Sequence, residues 1–196
     1  MAINMSDVSK LREMTGAGMM DCKKAIEEAD ADFDKAIELL RKKGAATAAK
    51  RAERDAKEGI VVSYIHNGRI GAMIELNSET DFVARNEDFQ KLANDIAMHV
   101  AAAAPEYVSP EDVPAEVVAK EREIEMAQLE DAKKPAEVME KILVGKIDKF
   151  YSRVCLMKQP FVKNPDITIE DLINEKTAAI GEKLAVRRFV RYELGK

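Results

Sequence analysis

The chain is 196 residues long, enough to bury a core and to hold one large or two small domains. Charged residues make up 34 % and hydrophobic ones 46 %, a globular balance, and 31 basic against 36 acidic side chains leave a net charge of −5 that argues against a broad electrostatic grip on nucleic acid. No apolar run reaches the roughly 20 residues of a membrane span, and the N-terminus lacks a signal peptide's apolar core, so a cytoplasmic protein with no membrane partner is expected.

In chain order, Ser6 or Asp7 is a cap for a first helix with Val8, Leu11 and Met14 on one side, and Gly16 supplies its stop. A second helix follows Gly18. Its stripe is Met19, Cys22, Ile26 and Ala29, which leaves Met20 with Lys24 and Glu27 on a polar face. A third begins after Asp32, carries Phe33, Ala36, Ile37 and Leu40 at helical spacing, and is ended by Gly44. Residues 45–58 contain no large hydrophobe and are expected to form a solvated helical linker.

Residues 60–66 and 69–77 flank Asn67-Gly68, the strongest short signal for a two-residue hairpin. Pairing His66 with Arg69 puts Val61, Ser63 and Ile65 on the same face as Ile70, Ala72 and Ile74. The helix that covers this face carries Phe89, Leu92, Ala93, Ile96, Ala97 and Val100. Between strand and helix the chain reads Leu-Asn-Ser-Glu-Thr-Asp-Phe-Val-Ala-Arg-Asn over 76–86, with Asn86 as cap and Glu87 and Asp88 in an acidic first turn. Phe82 precedes the helix and lies off its stripe. It is either a hydrophobic staple on the first turn or a wedge offered to a partner, and the residues alone favour the staple.

Pro105 ends that helix, and Ser109-Pro110 and Pro114 lead into a highly charged helix at about 115–129 with a thin apolar stripe. After Lys133-Lys134-Pro135 a second helix, to about 151, carries Met139, Ile142, Leu143 and Phe150, and the two make a helical hairpin. Residues 154–162 look extended and are broken by Pro165. A helix at 168–180 stops at Gly181. The last segment alternates, with Val186, Arg188, Val190 and Tyr192 against Ala185, Arg187, Phe189 and Arg191, and is expected to join the hairpin as a third strand. The architecture is α+β: a three-helix N-terminal domain with its linker over 1–55, then a core over 56–196 in which a small antiparallel sheet packs with helices and includes the helical hairpin at about 115–151.

Little points to catalysis. Cys22 and Cys155 are too few and too far apart for a zinc knuckle or redox pair and are expected to be reduced packing residues. His66 abuts a turn and His99 sits at the margin of a stripe, so both have a surface or boundary role. No nucleophile, base and acid set and no phosphate-binding glycine loop is present. No catalytic residue, metal or cofactor is expected.

The wording of one stretch is more telling than its chemistry. Thr80-Asp-Phe-Val resembles the signature of the elongation factor Ts family, guanine-nucleotide exchange factors for elongation factor Tu. Thr15-Gly-Ala-Gly-Met-Met-Asp-Cys-Lys-Lys-Ala25 resembles that family's N-terminal signature, and Gln159-Pro-Phe-Val and Arg187-Arg-Phe resemble its later landmarks, in the same order along nearly the whole chain. The resemblance implies an N-terminal domain of the ubiquitin-associated type and a function without covalent chemistry. It implies that Asp81 and Phe82, between Thr80 and Val83, enter the G domain of elongation factor Tu and disturb its magnesium and nucleotide site, so that GDP leaves and GTP rebinds. Arg12, Met19 and Met20 would hold a second part of that domain. Phe82 is then a wedge.

Two rivals remain. A ubiquitin-like or nascent-chain adaptor is argued only by the N-terminal bundle, and an RNA-binding or ribosome-associated protein only by the basic linker. The few strands, the thin-striped hairpin and the second core half that longer relatives carry point to a homodimer, which would cover a sheet edge or Met139, Leu143 and Phe150.

Overall fold

A computed structural model describes residues 4–130 and 136–196. The hairpin joint expected at Lys133, Lys134 and Pro135 lies outside the described residues.

The N-terminal bundle consists of α1 (Met5–Thr15), α2 (Met19–Glu28) and α3 (Phe33–Arg51). Asn4, ahead of the expected Ser6 or Asp7, caps α1, its side chain accepting from the Ser6 N–H at 3.1 Å. Gly16 ends α1 in the left-handed region at φ 67°, and the Asp32 carboxylate caps α3. Val8, Leu11, Cys22, Ala25, Ile26, Ala29, Ala36 and Leu40 form the core of this bundle. Met14 does not join them. Val8 and Leu11 already occupy the space α1 shares with the other helices, and Met14, one turn on, projects into solvent.

Gly44 is not a stop either. The helix runs on to Arg51, and Gly44 is buried where α3 packs on α8 (Ile169–Ile180). A Cβ there would stand 3.4 Å from the Asn174 carbonyl oxygen, just within ordinary contact, so the two helices come close at this glycine. Residues 45–51 are therefore helical and largely exposed as expected, but they continue α3 rather than follow a stop.

The main sheet is three-stranded and antiparallel in the order β1 (Glu58–His66), β2 (Ile70–Ser78), β5 (Ala185–Glu193), so the last segment joins the hairpin as expected. The hairpin register differs from expectation by one residue. Asn67 and Gly68 take the positive φ that such turns need, at 50° and 66°, but His66 pairs with Ile70, and Arg69 is a third loop residue. The Arg69 carbonyl accepts from the Leu194 N–H at 2.8 Å, which fastens the loop to the end of β5. A slip of one exchanges the faces of β1. Ile60, Val62 and Tyr64 pack on the core opposite Leu76, Ile74 and Ala72, while Val61 and Ile65 point outward. A bulge at Arg187 does the same to β5, since Glu75 pairs with Arg188 and Leu76 with Val186. Phe189 thereby packs on the core on the same side as Val186.

After β2 comes the one-turn helix α4 (Asp81–Ala84), then α5 (Glu87–Ala103), whose Phe89, Leu92, Ala93, Ile96, Ala97 and Val100 are all buried against the sheet. The charged helix α6 (Ala115–Glu130) and α7 (Ala136–Val154) pack as the expected hairpin, crossed by pairs between Arg153 and Glu121 and between Lys146 and Glu125. Phe150 is buried with Val113, Val154 and Cys155, so it is not offered to a second copy.

Residues 154–162 are not one extended run. α7 continues to Val154, a 3₁₀ turn follows at Leu156–Lys158, and β3 (Pro160–Phe161) pairs with β4 (Asn164–Thr168). Pro165 sits in the exposed start of that small hairpin, where no ladder bond is needed from it. His99 is fully buried, not at a boundary. Its Nδ1 accepts from the Val162 N–H at 3.3 Å, so the ring carries its proton on Nε2 and donates to Gln159 Oε1 at 2.9 Å. Gln159 in turn donates to the Arg153 carbonyl at 2.8 Å. The Gln159-Pro-Phe-Val landmark thus fastens β3 to α5 and the end of α7.

Candidate partner-binding site

The turn between β2 and α5 is built from its backbone outward. The Ser78 hydroxyl donates to the Thr80 carbonyl at 2.9 Å, and Thr80, extended at φ −127° and ψ 157°, is the cap of α4. Its cap bond from the Val83 N–H is long, at 3.5 Å. The stronger bonds of Thr80 run elsewhere: its hydroxyl donates to Glu182 Oε1 at 2.7 Å and its N–H to Glu182 Oε2 at 3.0 Å. One helical turn then separates inside from outside. Val83 packs on the core and Ala84 is buried, whereas Asp81 and Phe82 lie toward solvent. Asp81 Oδ2 accepts from Arg85 Nη2 at 2.8 Å. Phe82 is 78 % exposed, so it does not staple the first turn of α5. Asn86 caps that helix as expected, accepting from the Asp88 N–H at 2.8 Å. Of the four signature residues, Thr80 and Val83 hold the turn, and Asp81 and Phe82 are presented by it.

Two acidic residues outside the expected set complete the turn. Glu182 is one. The other is Glu79, which accepts the Lys183 N–H at 2.6 Å and pairs with Arg51 at 3.2 Å and Arg54 at 3.0 Å. The Lys183 N–H bond, then the two guanidinium groups, hold the Glu79 carboxyl below the usual range despite partial burial. Neither glutamate lies on an apolar stripe, and the main-chain N–H that each accepts is more than a hundred positions away, so in sequence both read as solvated charges.

The second expected region sits on the bundle. Arg12 and Met20 are exposed, Met20 at 63 %, and Met19 is 38 % exposed although it opens the stripe of α2. Gly18 caps α2 without a side-chain bond. The preceding turn leans on α8: a Cβ on Gly16 would stand 3.5 Å from Lys176 Nζ, and Thr15, Ala17 and Gly18 share a small cleft with Glu175, Ala178 and Ala179. Burial raises the Glu175 carboxyl above its ordinary range, Arg41 notwithstanding.

Burial pushes the Cys155 thiol up to about 11 and holds His99 below its ordinary value, so one is an inert thiol and the other a neutral ring. Both cysteines are buried and unpaired. Among the described residues no cluster of His, Cys, Asp and Glu is arranged to hold a metal ion, and no helix is long and apolar enough to cross a membrane. The two regions expose an aromatic and a carboxylate on a fastened turn, and two methionines and an arginine on a small bundle.

Comparison with known proteins gives this arrangement a context. Residues 2–196 match the family model described as Elongation factor TS. The chain is 61 % identical over 194 residues to the elongation factor Ts of Moorella thermoacetica, an alignment spanning 98 % of this chain and 96 % of the relative. It is 60 % identical to that of Carboxydothermus hydrogenoformans, over 96 % of this chain and 87 % of the relative. With that of Fervidobacterium nodosum the identity is 55 % over the full length of both.

Proposed function

The chain belongs to the elongation factor Ts family, and from that premise we propose that it releases GDP from elongation factor Tu by disturbing the partner's magnesium and nucleotide site, after which GTP rebinds. The observation that carries this reading is Phe82: a large aromatic 78 % exposed on a turn tied to Glu182 through the Thr80 N–H and hydroxyl and packed on the core through Val83. An exposed aromatic is costly in water and suited to a central anchor in a partner's pocket. Asp81 beside it brings a negative charge, which repels nucleotide phosphates and competes for the surroundings of Mg²⁺, an ion that leans on those phosphates and keeps several waters. Thr80 and Val83 serve by holding Asp81 and Phe82 in place. Arg12, Met19 and Met20 form the second contact, where polarizable methionines adapt to a groove.

The reading extends to organisation. Residues 1–55 act as a ubiquitin-associated type of domain and 56–196 as the core, in a cytoplasmic protein that contacts neither nucleic acid nor membrane. The protein works as a homodimer. The support for this is the outward face of the sheet, where Val61 and Ile65 on β1, Met73 on β2, and Val190 and Tyr192 on β5 are exposed on three adjacent strands. An apolar face of that extent is what a second copy would cover.

Linkage supplies the test. A factor that weakens GDP binding is itself released by GDP to the same extent in free energy. The chain, immobilised, is expected to retain elongation factor Tu from cytosol, to give it up on addition of GDP, and to speed release of a fluorescent GDP analogue. Retention that GDP does not reverse, with no faster release, would exclude the exchange reading. Sedimentation at micromolar concentration tests the dimer, which a single species at 21.8 kDa would rule out.

A further inference from the structure

We infer that the carboxylates of Glu79 and Glu182 are positioning residues: they fasten the turn bearing Asp81 and Phe82 to the ends of α8 and α3, so that this turn and the Met19 and Met20 face are held at a fixed separation for one partner. The inference rests on the exchange-factor reading above.

The fastening is reciprocal. Glu182 accepts the N–H of Thr80, the residue after Glu79, and Glu79 accepts the N–H of Lys183, the residue after Glu182, at 3.0 and 2.6 Å. Each carboxylate therefore satisfies the main chain beside the other, in charge-assisted bonds that are stronger than neutral ones. The end of α3 is drawn into the same knot. Arg51 and Arg54 reach Glu79, and the Lys183 ammonium donates to the carbonyls of Ala52 at 2.6 Å and Arg54 at 2.9 Å, where the end of a helix favours a cation. The side chains of Glu79 and Arg51 are 19 % and 22 % exposed, so their pairing is less screened than a surface contact.

A turn of four residues cannot hold its own shape, because a single helical turn fixes several dihedral angles for few bonds. Without Glu182, Phe82 would sit on a frayed segment. Further back along α8, Asn174 meets Gly44, and Lys176 meets the Gly16 turn that precedes Met19 and Met20. From Lys176 to the end of the helix is about one turn, roughly 6 Å at 1.5 Å per residue. One rigid helix thus meets the base of one contact region along its side and fastens the other at its tip, and a wedge fixed in this way spends less of its binding energy on ordering.

The test uses the full chain with Glu182→Ala and the conservative Glu182→Gln. Glu182→Ala is expected to lower the maximal rate of GDP release at saturating factor about tenfold, as misplacement of a working group does, while the half-saturating concentration moves less than about twofold. Glu182→Gln, which keeps one acceptor, should recover part of the rate. In the same samples the amide hydrogens of 80–84 should exchange about tenfold faster, with α5 unchanged. Unaltered exchange at 80–84 overturns the inference, and so does a loss of rate matched by equal losses of half-saturation and thermal stability. If the unmodified chain releases no GDP, the exchange-factor reading fails by itself, and the amide measurement alone decides whether the clasp fixes the turn.

Discussion

The two surfaces expected to meet a partner are held in opposite ways. The turn bearing Asp81 and Phe82 is short, yet Thr80 is bonded to Glu182 twice, Val83 packs on the sheet core, and Asn86 caps the next helix. The face bearing Arg12, Met19 and Met20 belongs to a small bundle whose core is largely alanine and single aliphatic residues, and α2 begins at a glycine with no side-chain cap. A stiff aromatic on a clamped turn is suited to force a change in what it meets, whereas flexible methionines on a small bundle are suited to adapt. Rigidity here does not follow element length: the four residues of α4 are anchored by bonds to Glu182, outside the helix itself.

The largest expected effect sharpens this contrast with two phenylalanines that flank Asn86. Phe89→Ala, which empties a fully buried site, should cost about 3–5 kcal/mol of stability by chemical denaturation. Phe82→Ala should leave the melting temperature unchanged and reduce GDP release by about 2 kcal/mol, a factor of about 30. A well-folded Phe82→Ala chain with full exchange activity would remove the reason for treating this turn as the working one. Met20→Ala should weaken partner binding by about 1 kcal/mol, roughly fivefold, again at unchanged melting temperature. A marked loss of stability there would mean that Met20 belongs to the bundle core after all.

The smallest effect separates core from clasp by pH. The His99 ring has its proton affinity lowered by burial from an ordinary 6.5, so its contribution to stability is complete above about that pH and is lost as pH falls toward the folded value. The Glu79 carboxyl is lowered from an ordinary 4.5 by the Lys183 N–H and two guanidinium groups, so its contribution is complete above about that pH and is lost as pH falls from there through its lowered folded value. Urea unfolding across acid pH should show both declines in the unmodified chain. In Glu79→Gln the first should remain and the second diminish, and an unchanged second decline would mean that Glu79 does not stabilise the fold through its charge.

Much of this was legible in the chain itself. The cap at Asp32, the stops at Gly16 and Gly181, the stripe of α5, the alternation that makes β5 and the α+β class all follow from near-neighbour spacing. The motif at 80–83 pointed to the family. Which of its residues face outward did not follow, because that depends on Val83 finding the core and Thr80 finding Glu182. The outward placement of Val61 and Ile65 turned on one extra loop residue, Arg69, since a strand's side chains alternate and a slip of one exchanges its faces.

By itself the sequence determined most of the elements and their order, though not the full length of α3, the one turn of α4 or the 3₁₀ turn at Leu156–Lys158, because caps, glycine stops and periodic stripes act over a few residues. The tertiary structure alone decided the face of β1, the role of Gly44 as a point of close approach to α8, the burial of His99 and the clasp of Glu79 with Glu182. Each of these joins groups far apart in the chain, and a charged, small or polar residue carries no local mark of the distant partner that will use it.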